Sequence, residues 1–117
     1  MRIDQTCCNE LSRWLSPKLF RALGDPTRVA LLARLGESRK EQTVTELSEG
    51  FPTDLSVVSR HLGILRDAGI LESNKRGKRV FYRIRINALS HVLRSLADAL
   101  DACCPENPRE EGSASAP

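Results

Sequence analysis

Apolar side chains recur along this chain at helical spacing, then alternate, then return to helical spacing, and these switches predict its elements. Near the start, Cys7, Leu11, Trp14 and Leu15 fall at i, i+4, i+7 and i+8, one stripe of a first helix that Asp4 can cap. Ser16-Pro17 supplies an N-cap with proline at the first helical position, so a second helix runs over 18–23 to Gly24. Asp25-Pro26 repeats that signal, and Val29, Leu32, Ala33 and Leu35 predict a third helix stopping at Gly36. The polar run 37–42 reads as a loop. Thr43 and Glu46 stand at capping-box spacing, which predicts a short helix holding Val44 and Leu47 and reaching Gly50.

The turn Phe51-Pro52-Thr53 leads into 54–69. Asp54 suits an N-cap, Val58, Leu62, Leu65 and Ala68 recur on one face, and Gly69 suits the residue just past a helix end. Ser56, Val57, Ser59 and Arg60 are left pointing away. Two short helices joined by a tight turn, the second the more basic, make a helix-turn-helix. Small hydroxyls and an arginine near a helix start can approach base edges and phosphates. A polar helix face is by itself usually only solvated, so the flanking segments decide.

The period then falls to two. Residues 70–73 and 79–84 are rich in β-formers and flank Asn74-Lys-Arg-Gly-Lys78, which predicts a β-hairpin. Val80, Tyr82 and Ile84 alternate with Arg79, Phe81, Arg83 and Arg85, so one face can lie on the helices while the other stays basic. Folding does not require Lys75, Arg76, Lys78 and Arg79 around Gly77; a wing that touches phosphate or the minor groove explains them. Asn87 can cap a last helix in which Leu89, Leu93, Leu96, Leu100 and Cys103 follow a 4-3-4-3 spacing, a seam that two helices can share. Val92, Ala97 and Ala99 widen that surface into a dimer face. The expected organisation is a winged-helix DNA-binding and dimerisation domain over 1–104, mainly α with a small β-hairpin, then a disordered acidic tail over 105–117.

Charge sharpens this picture. The net charge of +3 in 117 residues is ordinary, but it is unevenly placed. Residues 1–54 balance to zero, 55–86 carry eight Lys/Arg against two Asp/Glu, and 87–117 carry two against five. The positive charge thus gathers where the helix-turn-helix and wing lie, as a nucleic-acid footprint requires. No apolar run approaches the ~20 residues of a membrane helix. The first residues show no apolar signal region, so the cytoplasm is expected. An enzyme is not indicated, because there are two histidines, no glycine-rich phosphate loop and no evident carboxylate pair. A winged helix used only for protein contacts is the competing reading, and salt-sensitive DNA binding separates the two.

The four cysteines form two adjacent pairs, Cys7-Cys8 and Cys103-Cys104. Paired cysteines in a cytosolic protein suggest metal or redox chemistry more than a disulfide framework. Neighbours on a helix point about 100° apart, so a compact site needs thiolates from both segments. Soft thiolates favour arsenite or antimonite, or cadmium, lead or mercury, with four-sulfur zinc also possible. Two alternatives stay open: a thiol redox switch, and no sensing role, with Cys7 and Cys103 as small core residues.

In unbroken order, four blocks, Leu19-Phe-Arg-Ala-Leu-Gly-Asp-Pro-Thr-Arg28, Thr43-Val-Thr-Glu-Leu47, Val58-Ser-Arg-His-Leu62 with Leu65-Arg-Asp-Ala-Gly-Ile-Leu71, and Gly77-Lys-Arg-Val-Phe-Tyr-Arg83, resemble the ArsR/SmtB family of winged-helix repressors. The resemblance implies a homodimer joined through its first and last helices, two recognition helices on a palindromic operator, and an inducer, often a metal or metalloid ion, that relieves repression. It assigns recognition to Leu55, Ser56, Val57, Ser59 and Arg60, with His61 making a polar contact to backbone or phosphate. The family's Cys-x-Cys site near Leu47 is missing here, where Thr45-Glu-Leu-Ser48 stands. His91, Asp98 and Asp101 do not match the spacing of its last-helix zinc site. Some metalloid-sensing members place adjacent cysteines near the N-terminus or at the end of the last helix, which singles out Cys7, Cys8, Cys103 and Cys104.

Overall fold

The computed structural model describes residues 5–103, with the side chains of residue 9 and residues 11–103. Asp4, Cys104 and the expected tail over 105–117 therefore lie outside the described residues, as do the side chains of Cys7 and Cys8. In chain order the elements are α1 (Gln5–Trp14), α2 (Pro17–Leu23), α3 (Pro26–Ser38), β1 (Gln42–Thr43), α4 (Val44–Ser48), α5 (Leu55–Asp67), β2 (Leu71–Arg76), β3 (Arg79–Ile84) and α6 (Ile86–Cys103). They fall into two compact units, Pro17–Ser90 and the remainder.

Within Pro17–Ser90 the core is aliphatic. Leu31, Leu47, Val58, Leu62 and Leu65 are fully buried, and Ile70, Leu71 and Tyr82 nearly so. Each such leucine contributes roughly 1.5–3 kcal/mol by leaving water. The helix starts follow the sequence signals. Pro17 and Pro26 open α2 and α3, and the Asp25 carboxylate accepts the Arg28 backbone N–H at 3.1 Å. On α3 the expected Leu35 is buried, but the stripe is turned: Leu31 joins it inside, Leu32 is half-buried, Val29 is 50% exposed and Ala33 is exposed. Two leucines remove more apolar surface from water than a valine and an alanine, which sets the rotation of the helix. α3 also passes Gly36, since one interior glycine costs only about 1 kcal/mol, and ends where Arg39 adopts a left-handed φ of 57°.

Two corrections concern the sheet. At the end of the run expected to be a loop, Gln42 and the capping Thr43 form β1, which pairs antiparallel with β3, Gln42 opposite Tyr82 and Thr43 opposite Phe81, giving the order β1-β3-β2. A two-residue strand has no alternation to read. β2 extends through Asn74, Lys75 and Arg76, which face Phe81, Val80 and Arg79. The hairpin tip is therefore only Gly77-Lys78, with Gly77 at φ 63° as a two-residue turn requires. Those polar residues stay in the ladder because their outward faces meet solvent.

α5 is built as expected. Val58, Leu62 and Leu65 form its buried stripe, with Ala68 half-buried at the end. Its stop is a Schellman motif: the Ile70 N–H donates to Leu65 O at 3.0 Å and the Gly69 N–H to Arg66 O at 2.9 Å, with Gly69 at φ 82°.

In the other unit, Trp14 meets the His91 ring edge-on at 5.5 Å and Arg13 lies 5.2 Å over Trp14. Leu96, Ala99 and Cys103 are buried on α6, whereas Leu93 and Leu100 are 42% and 44% exposed. Leu15, expected on the buried stripe, is 46% exposed beyond the end of α1. Asn87 sits inside the first turn of α6 instead of capping it, because Arg85 O already accepts the Leu89 N–H at 2.9 Å.

Candidate nucleic-acid interface

The helix-turn-helix, α4 and α5, is held from behind by two arginines of α3. Arg28 donates from Nε to Ala22 O at 2.7 Å and from Nη2 to Arg21 O at 3.0 Å, closing open carbonyls at the end of α2. Its Nη1 donates to His61 Nδ1 at 3.1 Å, which ties α5 to the same point. Arg34 reaches the other partner helix, donating to Leu47 O at 2.9 Å and also to Glu49 O, and stacks 4.6 Å over Phe51. The α4–α5 turn is thereby fixed at its carbonyls and at its aromatic ring.

With its buried stripe turned inward, α5 presents Leu55, Ser56, Ser59 and Arg60 to solvent, and Val57 is half-buried beside them. Leu55 is 50% exposed. Asp54 takes the N-cap position, but its carboxylate makes no capping bond; its carbonyl instead accepts the Val57 and Val58 N–H groups, each at 3.0 Å. His61 lies apart from this face. It accepts from Arg28 and sits 3.9 Å from the Asp25 carboxylate. The Asp25 carboxyl is held below the usual carboxylate range, chiefly by the Arg28 backbone N–H, with the Arg28 charge adding to it.

On the wing, the side chains of Lys75, Lys78 and Arg79 are exposed and make no hydrogen bond or ion pair among the described residues, though the Arg79 charge adds to the pull on the Glu46 carboxyl. Arg76 differs: it pairs with Glu41 and lies 4.0 Å over the Phe81 ring. Arg83 pairs with Glu72 lower on the same face. The structure thus brings Leu55, Ser56, Val57, Ser59 and Arg60 onto one helix face, leaves three wing cations open, and engages His61 and Arg76 internally.

Arg28 and Arg34 were missed in the sequence reading. For Arg28 a signal existed, because a cation in the first turn of a helix opposes the helix dipole and calls for another reason to be there. Arg34, in mid-helix, carried none.

Of the four cysteines, Cys103 is buried at the end of α6. Among the described residues no group of three or more His, Cys, Asp or Glu is placed to hold a metal ion. A soft-ion site therefore depends on Cys7, Cys8 and Cys104, whose side chains are outside the described residues.

A family model described as a helix-turn-helix domain matches residues 23–74. The HTH-type transcriptional repressor SmtB of Mycobacterium tuberculosis is 36% identical over 76 residues, covering 65% of this chain and 55% of that protein. The arsenical resistance operon repressor of Escherichia coli is 40% identical over 77 residues, covering 63% of this chain and 62% of its own length. The chain thus spans little more than half the length of these curated relatives. An ArsR-like transcriptional regulator from a Rhodococcus species superposes with a TM-score of 0.61 at 31% identity, over 78% of this chain and 79% of that one.

Proposed function

We propose that this chain, which belongs to the ArsR/SmtB family of winged-helix transcriptional regulators, is a homodimeric repressor released from a palindromic operator when a soft metal(loid) ion binds its cysteine thiolates. The family is one of DNA-binding regulators, not enzymes. The observation that carries DNA reading is the exposed face Leu55, Ser56, Ser59 and Arg60 on a rigidly held α5, followed by the open cations Lys75, Lys78 and Arg79. In this reading α5 enters the major groove, where Arg60 and the serines meet base edges or phosphate and Leu55 and Val57 meet apolar base edges. The wing cations hold phosphate and fix register.

The dimer reading rests on α6, where the exposed Leu93, Ala97 and Leu100 recur at i, i+4 and i+7. No described helix is long and apolar enough to cross a membrane, and the proposed site of action is the cytoplasm. Titrating a duplex of the chain's own promoter by fluorescence anisotropy at several salt concentrations tests DNA reading. Arg60→Ala and Lys78→Ala should each weaken binding and lower the salt slope by about one. Unchanged affinity and slope in both variants would overturn it.

The inducer reading rests on the two thiol pairs and on the arsenical resistance role named for the Escherichia coli relative. Arsenite or antimonite on three of Cys7, Cys8, Cys103 and Cys104 is favoured, with cadmium, lead, mercury or zinc as alternatives. Since α5 carries no thiol, the ion acts by changing the spacing of the two recognition helices in the dimer, not by occupying the DNA face. Titrating the reduced protein–DNA complex with each ion, against Cys→Ser variants at each pair, is the test. If no ion weakens the complex the reading fails. If peroxide releases DNA in metal-free buffer and reductant restores binding, the thiols are a redox switch.

A further inference from the structure

A cleft of about 860 Å³ opens within Pro17–Ser90, between the end of α3, the base of the hairpin and the first turn of α6. That is the size of a small-molecule site. No residue of α5 or of the wing tip lines it, so it is separate from the DNA-reading surface. Its apolar part is Leu35, Ile84 and Ile86, and its cationic part includes Arg39, Lys40 and Arg85. The two acids at its edge are engaged, Glu72 with Arg83 and Glu41 with Arg76. Arg39 has no carboxylate partner among the described residues, the Lys40 charge acts on the Glu46 carboxylate outside the cleft lining, and the Arg85 side chain makes only a long 3.4 Å bond to Gly69 O.

Two further observations point to an occupant. Arg39 stands at φ 57°, where glycine would be unstrained, so a cation is kept at the cleft edge at a backbone cost of about 1 kcal/mol. Gly36 leaves one wall open, since a Cβ there would touch only Ile84 Cδ1 at 3.9 Å. The first turn of α6 adds the positive end of a helix dipole to the same wall.

We propose that this cleft binds a small organic carboxylate, its apolar body on Leu35, Ile84 and Ile86 and its charge held by Arg39 and Lys40. An inorganic anion would leave the apolar part unused, and a cation would meet like charge. The site uses none of the thiols and so stands apart from the ion-sensing reading. The test is amide NMR of the full chain titrated with octanoate, with octylamine and inorganic phosphate as matched controls. Octanoate should shift Gly36, Ile84 and Asn87 saturably, while neither control does so over the same range. Gly36→Leu should fill the cleft and abolish those shifts. Arg39→Gly, which also relieves the left-handed backbone, should stay folded and bind octanoate about tenfold more weakly. Equal shifts with octylamine, equal shifts with phosphate alone, or parent-like octanoate binding by Arg39→Gly would overturn the proposal.

Discussion

Single arginines decide how α5 is held. Arg28 closes two carbonyls of α2 and fixes His61 in one gesture, which only a planar fork of donors can do. Arg28→Lys should therefore behave nearly like Arg28→Ala, each losing about 2–3 kcal/mol in urea unfolding; rescue by lysine would show that charge alone matters. Arg76 carries a similar lesson. Composition counted it with the wing cations, yet Glu41, far away in the sequence, pairs with it, and Phe81 of the neighbouring strand lies under it. The exposed face of α5 was legible because helical period alone assigns Ser56, Ser59 and Arg60 to the side opposite Val58, Leu62 and Leu65, while Leu55 came only from the family resemblance. The Arg28 partner of His61 and the Glu41 partner of Arg76 were not, because they lie 33 and 35 residues away in the chain.

Among the elements, some helix ends were readable and others were not: Asp54 makes no side-chain cap, Asn87 lies inside α6, and α3 runs past Gly36. Asp25-Pro26, Thr43 with Glu46, and Gly69 all do what their chemistry predicts, because capping is decided within four residues. The rotation of α3 and the strand β1 depend on what packs against them, which no local pattern records. In the capping box, Thr43 Oγ1 accepts the Glu46 N–H at 3.2 Å and the Thr43 N–H donates to Glu46 Oε1 at 2.8 Å. Thr43→Ala should cost about 1 kcal/mol in chemical denaturation. The Thr43 backbone N–H, and then its hydroxyl, hold the Glu46 carboxyl below its usual range. Folded protein thus binds fewer protons than unfolded protein at this group. Its contribution is complete above the unfolded value of about 4.3 and is lost as pH falls through the lower folded value. Unfolding midpoints measured across that acid range should fall less steeply in Glu46→Gln than in the parent. Gly69→Ala forces a side chain into φ 82° and should destabilise by about 1 kcal/mol.

At the scale of the whole molecule, the +6 segment 55–86 was visible from sequence, because it is a sum over many residues, whereas the expected seam on α6 is divided, with Leu96 and Cys103 buried and Leu93 and Leu100 exposed. If the proposed dimer is joined through α6, Leu93→Glu should leave the fold intact, since that side chain is 42% exposed, but separate the protomers. Sedimentation of Leu93→Glu should give a monomer, with operator affinity reduced at least about tenfold by loss of the second half-site; a dimer with parent affinity would place the interface elsewhere. Thr43 links the two DNA-facing parts in a different way. It is the strand residue opposite Phe81 in the wing sheet and also the cap of α4, so no spacer separates wing from helix-turn-helix. For sequence divergence this singles out one junction. A residue inserted between Thr43 and Val44 would have to break either the strand register or the capping box, making that junction a fixed point against insertions and deletions.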